Sequence, residues 1–223
     1  MGCSPMLELL EPDDLDTHPH GWSGEALRDQ AIAPLLLAGD DLRALARLRY
    51  DFFVARDGKA YPHADHQNRL LLEPIDRDSL NFGIVGDGQC LVGVRLTRAT
   101  KATTDPQMAA VLSRHSDLDP NRVGLNSRLT VAPRGQIYIP AVFRQVYRTA
   151  LLSGADYGLV AARPVIAPLF QRFGYVASNG VINDPIAGPL LTLRLPLRDV
   201  NHMRSTRSPF LRPLLEYLAS LER

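Results

Sequence analysis

Cysteine is nearly absent from this sequence: Cys3 and Cys90 are the two among 223 residues. They lie far apart, so no disulfide framework is expected, and a reducing, cytoplasmic compartment suits the chain. Neither stands in a metal-ligand spacing. Long apolar runs are also lacking, and none approaches the roughly 20 residues of a membrane span. Charge of one sign is not in excess. Twenty-five Lys and Arg against 24 Asp and Glu leave +1, which provides no bulk attraction to nucleic acid or membrane. The opening MGCSPMLELLEPDDLDTHP has no basic segment and soon turns acidic, so no signal peptide is expected. MGCSPM starts like a myristoylation site but has Met6 where Ser or Thr is required. There is no early G-x-G-x-x-G after a first strand, which excludes a Rossmann dinucleotide site. There is no G-x-S-x-G either, so a serine nucleophile of the hydrolase type is not expected.

What is present is ordinary for a chain with a real core: 45% hydrophobic and 22% charged residues. An arm over residues 1–40, a main domain over 41–200 and an amphipathic C-terminal helix over 201–223 are the expected divisions. Within GEALRDQAIAPLLLAGDDLRALARLRYDFFVARDG, Leu42, Leu45, Ala46, Leu48, Phe52 and Phe53 fall near one helical face. Asp40 or Asp41 is placed to cap it, and Gly58 follows its end. Residues 59–72 read as a loop. SLNFGIVGDG and QCLVGVRLTRAT read as strands meeting in a hairpin at Gly86-Asp87-Gly88. DPQMAAVLSRHSDLDP is a short helix or ordered loop. VGLNSRLTV alternates like a strand, and IPAVFRQVYRTALLSGA is a helix with Pro140 in its first turn and Gly154 at its end. DYGLVAAR is a buried type of strand. PVIAPLFQRFGY is a second short helix, interrupted by Pro168, and PLLTLRLPLRD is a strand. This order predicts a mixed α/β sheet with helices on its faces.

The stretch from SRLTVAP to YGLVAARPVIAPLFQRFGY resembles the core of the GCN5-related N-acetyltransferase (GNAT) superfamily, and LFQRFGY is similar to the close of that core. LRYDFFV (48–54), EPID (73–76), VGVRL (92–96) and NSRL (126–129) stand in the order seen in acyl-homoserine-lactone synthases and long-chain N-acyl amino acid synthases. The resemblance covers roughly residues 42–195. It implies a GNAT-like mixed sheet in which one strand splays to admit an acyl-pantetheine. It implies a fatty acyl donor, on acyl carrier protein or CoA, and an amine acceptor, with no permanently bound cofactor. Residue by residue it carries over Arg49, Phe53, Glu73, Asp76, Arg95 and Arg128.

Amine acylation needs a proton acceptor and pre-placed donors for the oxyanion. A main-chain N–H near Leu129, Thr130 and Val131 is the expected oxyanion donor. Glu73, Asp76, Arg95, Arg128 and Asp65 are the catalytic candidates. Arg49, Phe53 and Asn126 are acceptor-pocket or network candidates, and Asn126 and Arg128 share a face if the strand is regular. The arginines are equally readable as structural ion pairs tying the first helix to the sheet. Two departures stand out. The lactone synthases carry an acidic residue where this chain has Leu125, and the superfamily often carries a Tyr where it has Phe170. Proton handling then falls to His63, Asp65 or His66 in PHADHQN, or to Glu73 and Asp76. HADH is too tightly spaced, and has no distant fourth ligand, so no metal is expected. The loop RGQIYIP places Arg134, Gly135, Gln136, Ile137 and Tyr138 at the donor site. Bulky residues replace the glycines that admit a diphosphate, which suits a carrier-protein donor. A plain strand-to-helix loop with surface arginines is the alternative.

Overall fold

The computed structural model describes residues 33–222. The arm expected over residues 1–40 lies, up to residue 32, outside the described residues, as do the readings made on the opening segment. Leu35–Leu36 forms a two-residue strand, β1, in a stretch whose pattern suggested helix. Helix α1 spans Gly39–Arg49. Asp40 and Asp41 lie in its first turn rather than at the cap, where they favour the positive end of the dipole. The chain continues as a π-helical turn over Tyr50–Arg56. The expected loop carries a small hairpin, β2 (Ala64–Asp65) and β3 (Leu70–Leu71). A 3-10 turn, Pro74–Asp78, leads into β4 (Ser79–Gly86) and β5 (Gln89–Arg98). Their turn has positive φ at Asp87 (51°) and Gly88 (70°), as the Gly-Asp-Gly signal requires.

Two short helices follow, α2 (Ala99–Ala102) and α3 (Pro106–Ser113). Strand β6 spans Val123–Val131 and α4 spans Ile139–Leu152. Next come β7 (Tyr157–Ala162), α5 (Ala167–Arg172), β8 (Val176–Asp184) and β9 (Gly188–Pro196). Helices α6 (Val200–Ser205) and α7 (Leu211–Leu221) close the described chain. Pro168 sits in the first turn of α5, where its missing N–H costs nothing, so it starts the helix instead of interrupting it.

The sheet runs β1-β4-β5-β6-β7-β9-β8. Its pairs are antiparallel except β6–β7, which is parallel and needs the crossover that α4 supplies. The mixed sheet flanked by helices is the architecture the sequence implied. Helix α4 buries Val142, Phe143, Val146, Tyr147, Ala150 and Leu151 on one face of the sheet. On the other face Leu45 of α1 presses on β5, and a Cβ at Gly93 would meet Leu45 Cδ1 at 2.3 Å. No described helix is long and apolar enough to cross a membrane.

The β6–β7 ladder ends at Asn126↔Val160, although β6 continues to Val131 and β7 to Ala162. The two strands therefore part, leaving one edge of Ser127–Val131 without a strand partner among the described residues. The β5–β6 register also shifts: Arg95 opposes Ser127 but Gly93 opposes Thr130. Arg128 and Leu129 thus share one partner, a β-bulge, and Arg128 takes φ 55°.

Candidate active site

The bulge decides where Arg128 points. Asn126 Nδ2 donates to the Tyr175 hydroxyl at 2.6 Å, on the α4 face. Ser127 Oγ accepts from Arg95 Nε at 3.0 Å, on the α1 face. The extra residue keeps Arg128 on the Ser127 side, where it meets Glu73. Asn126 and Arg128 therefore do not share a face; the strict alternation assumed from sequence fails at a bulge.

An ionic cluster lies on the α1 face. Arg49, fully buried at the end of α1, donates from Nη1 to Asp76 Oδ1 at 2.8 Å and from Nη2 to Asn81 Oδ1 at 2.7 Å. Arg95, also fully buried, donates from Nη1 to Glu73 Oε2 at 2.9 Å and to Asp76 Oδ1 at 3.4 Å. Arg128 holds Glu73 with a two-pronged fork, Nε to Oε2 at 2.7 Å and Nη2 to Oε1 at 2.5 Å. Glu73 caps the 3-10 turn that carries Asp76, and its N–H donates to Asp76 Oδ2 at 2.8 Å. Phe53 of the π-helical turn and Tyr61 lie under the Arg128 guanidinium, their ring centroids 5.7 and 4.9 Å from it.

These contacts fix the charge states. Burial alone would raise the Glu73 carboxyl, but the Arg128 fork and the charges of Arg128, Arg95 and Arg49 outweigh it and hold it at about 2. Asp76 is likewise held below the usual carboxylate range: burial opposes ionisation, and Arg49 and Arg95 overcome it. Arg128 is held above its ordinary value, since the Glu73 bonds and charge exceed the opposing effect of burial. Cys90 is buried and its thiol is pushed up to about 12 by that burial, so it is no nucleophile.

A pocket of about 380 Å³ opens beside this cluster. Glu73 and Arg128 line it, with Tyr61 and His63 from the segment after the π-helical turn, Gln107 from α3 and Asp184 from the end of β8. Sequence reading missed Tyr61, Gln107 and Asp184, which come from separate loops and element ends with no shared motif. The other proton-handling candidates lie elsewhere. Asp65 does not line the pocket; it accepts from Asn68 N at 2.9 Å and Nδ2 at 2.8 Å, which hold it below its usual range. His66 Nδ1 is 2.9 Å from the Tyr50 hydroxyl. Leu125 is 2% exposed among Val123 and Leu159, and Phe170 is packed between Phe143 and Tyr175.

On the side where β6 and β7 part, Leu129 and Val131 pack toward the α4 core, while Thr130 Oγ1 donates to Arg128 O at 3.1 Å. Arg134 is exposed, and Ile137 is 66% exposed. Gly135 lets the loop after β6 approach β5 closely: a Cβ there would stand 1.9 Å from Leu91 O. Tyr138 packs on the core, and its N–H donates to Gly135 O at 3.1 Å. The N–H of Ile139 is engaged with Gln136 O. Two amides at the head of α4 are thus taken up inside the loop.

No protein-family model matches the sequence, and no curated protein matches it. Solved structures do. FeeM, an N-acyl amino acid synthase from uncultured soil microbes, is similar with a TM-score of 0.60 at 14% identity, over 81% of this chain and 98% of that one. TofI, in a ternary complex with an inhibitor and MTA, gives 0.59 at 15% identity over 79% and 97%. BjaI, a CoA-dependent acyl-homoserine lactone synthase with SAM and isopentyl-CoA, gives 0.57 at 14% identity over 75% and 82%. The chain therefore has the fold of acyl-homoserine lactone synthases and of an N-acyl amino acid synthase, the branch that its motif order resembles.

Proposed function

We propose that the chain is an N-acyltransferase, acting in the cytoplasm. It moves a medium- or long-chain fatty acyl group from an acyl carrier protein or acyl-CoA to an amine of an amino acid or peptide. The observation that carries this proposal is the position of Arg128. It stands two residues past the last β6–β7 pair and also lines the 380 Å³ pocket. The gap between the strands suits a pantetheine arm, and the pocket suits the acceptor, so thioester and amine meet beside Arg128. The amine nitrogen bonds to the thioester carbon, the C–S bond breaks, the ammonium proton passes to a base and the thiol leaves. A main-chain N–H on the unpartnered edge at Leu129–Val131 receives the oxyanion.

Glu73 and Asp76 are engaged by arginines and held ionised, which suits them to fixing Arg128 and makes them weak proton acceptors. His63 lines the pocket and has no partner among the described residues, which suits it to taking the proton. The engaged amides of the loop and the exposed Arg134 favour a carrier protein over a donor gripped by its diphosphate. The lactone product is set aside because Leu125, in the apolar core, occupies the acidic position.

The test uses decanoyl-carrier protein and decanoyl-CoA with a panel of amines, following thiol release and product mass. Amine-dependent release is expected. Donor binding without such release sinks the proposal and leaves a non-catalytic binding module. Arg128→Ala is expected to abolish turnover with the fold retained; loss of the fold would assign Arg128 to the scaffold instead.

A further inference from the structure

Resting on that function, the charges around the pocket narrow the acceptor. Three arginines, two of them fully buried, face three carboxylates. Arg49 pairs with Asp76, Arg128 with Glu73, and Arg95 with both, while Arg95 Nη2 stands 3.9 Å from Asp105 Oδ2. The cluster is thus balanced within itself. Asp184 adds a fourth carboxylate to this region and lines the pocket, and no cationic side chain pairs with it among the described residues. Neutral donors hold it in place. Oδ1 accepts from Ile186 N at 2.9 Å and Ala187 N at 2.6 Å, and Oδ2 from Gln107 Nε2 at 3.0 Å. Such bonds orient the carboxylate and bring no opposite charge to it. The Arg128 fork is already closed on Glu73, and its Nη1 reaches Gln107 Oε1 at 3.5 Å. The pocket therefore offers one uncompensated negative charge and no open guanidinium fork for a carboxylate. Much of the remaining wall is apolar, including Ile75, Pro106, Ala110 and Ile182.

We propose that the pocket takes its acceptor as a cation whose carboxylate is absent or masked, and that Asp184 is the specificity-determining counter-charge. The acceptor class is a primary amine, an amino-acid amide or ester, or a peptide N-terminus. A free amino acid would bring its carboxylate toward Asp184 with no guanidinium fork to receive it, and that repulsion selects against it.

The test is binding by calorimetry at pH 7, with no donor present, of leucinamide and phenylalaninamide against leucine and phenylalanine. The amides are expected to bind at least about tenfold tighter, a difference of about 1.4 kcal/mol. Asp184→Asn keeps an acceptor for the turn N–H groups and is expected to bring the ratio near one. Gln107→Lys places a cation beside Asp184 without touching that turn, and the same collapse is expected. Melting temperatures report whether each variant folds, and either folded variant suffices. Free amino acids binding as tightly as the amides, no amide binding at millimolar concentration, or a ratio unchanged in a folded variant would each overturn the proposal. Binding is read without turnover, so a failure of acyl transfer remains a separate result.

Discussion

The two faces of the central sheet are built on opposite principles. Under α4, Phe143 stacks on Phe173 at 4.6 Å and Tyr147 on Phe210 at 4.3 Å, in a continuous apolar core. On the α1 side, two fully buried arginines and their carboxylates are set between smaller apolar clusters. Apolar packing tolerates many arrangements of similar volume, whereas buried ions tolerate few. The first face stabilises the domain; the second sets Arg128 and Glu73 at the pocket wall to within a hydrogen-bond length.

The largest expected effect breaks the ionic face. Arg95→Ala leaves Glu73 and Asp76 partly unpaired in the interior and is expected to cost about 3–5 kcal/mol in urea unfolding. A cost under about 1 kcal/mol would mean that water reaches the cluster freely and the contrast between the faces is false. Phe143→Ala tests the apolar face and is expected to cost about 3 kcal/mol by the cavity it leaves. Its cost should stay constant from pH 7 to 3, since no charge is involved.

Acid separates the faces more finely. The folded Glu73 carboxyl, at about 2, lies below its unfolded value near 4.3, so its stabilisation is fully present above that value. The stabilisation is lost as pH falls toward about 2, and amounts to something on the order of 3 kcal/mol. Urea unfolding across that window should show the loss in the wild type and a flatter curve in Glu73→Gln. The smallest effect is expected at the surface. Arg148 and Glu216 form a pair at 2.7 Å with both side chains nearly half exposed, so Arg148→Ala should cost under about 1 kcal/mol in a thermal melt.

Local patterns were legible where local rules govern. Strand β6 and the Gly-Asp-Gly hairpin stand where alternation and turn chemistry put them. Strand β8 was missed because Asn179 and Gly180, at φ 59° and 82°, look like a turn; β9 keeps them within a strand by pairing on both sides of the irregularity. The motif order placed Arg49, Glu73, Asp76, Arg95 and Arg128 together. Asp65, offered by PHADHQN as a proton handler, lies outside the pocket, and Asn126 faces Tyr175 instead of sharing a face with Arg128, because exposure and strand face depend on the hairpin and the bulge. Gly135 has its reason in the carbonyl of Leu91, a residue 44 positions earlier, which no reading of the loop alone supplies.

The sequence by itself determined α1, the β4–β5 hairpin, β6, α4, β7 and β9, and the near balance of arginines and acids. These follow from side-chain chemistry and short-range periodicity. Only the tertiary structure decided which carboxylates are engaged, that Arg128 turns away from Asn126, and that Asp184 faces the pocket with no cationic partner among the described residues. Those depend on register, a one-residue bulge and the meeting of loops far apart in the chain, and none of these leaves a local mark on the sequence.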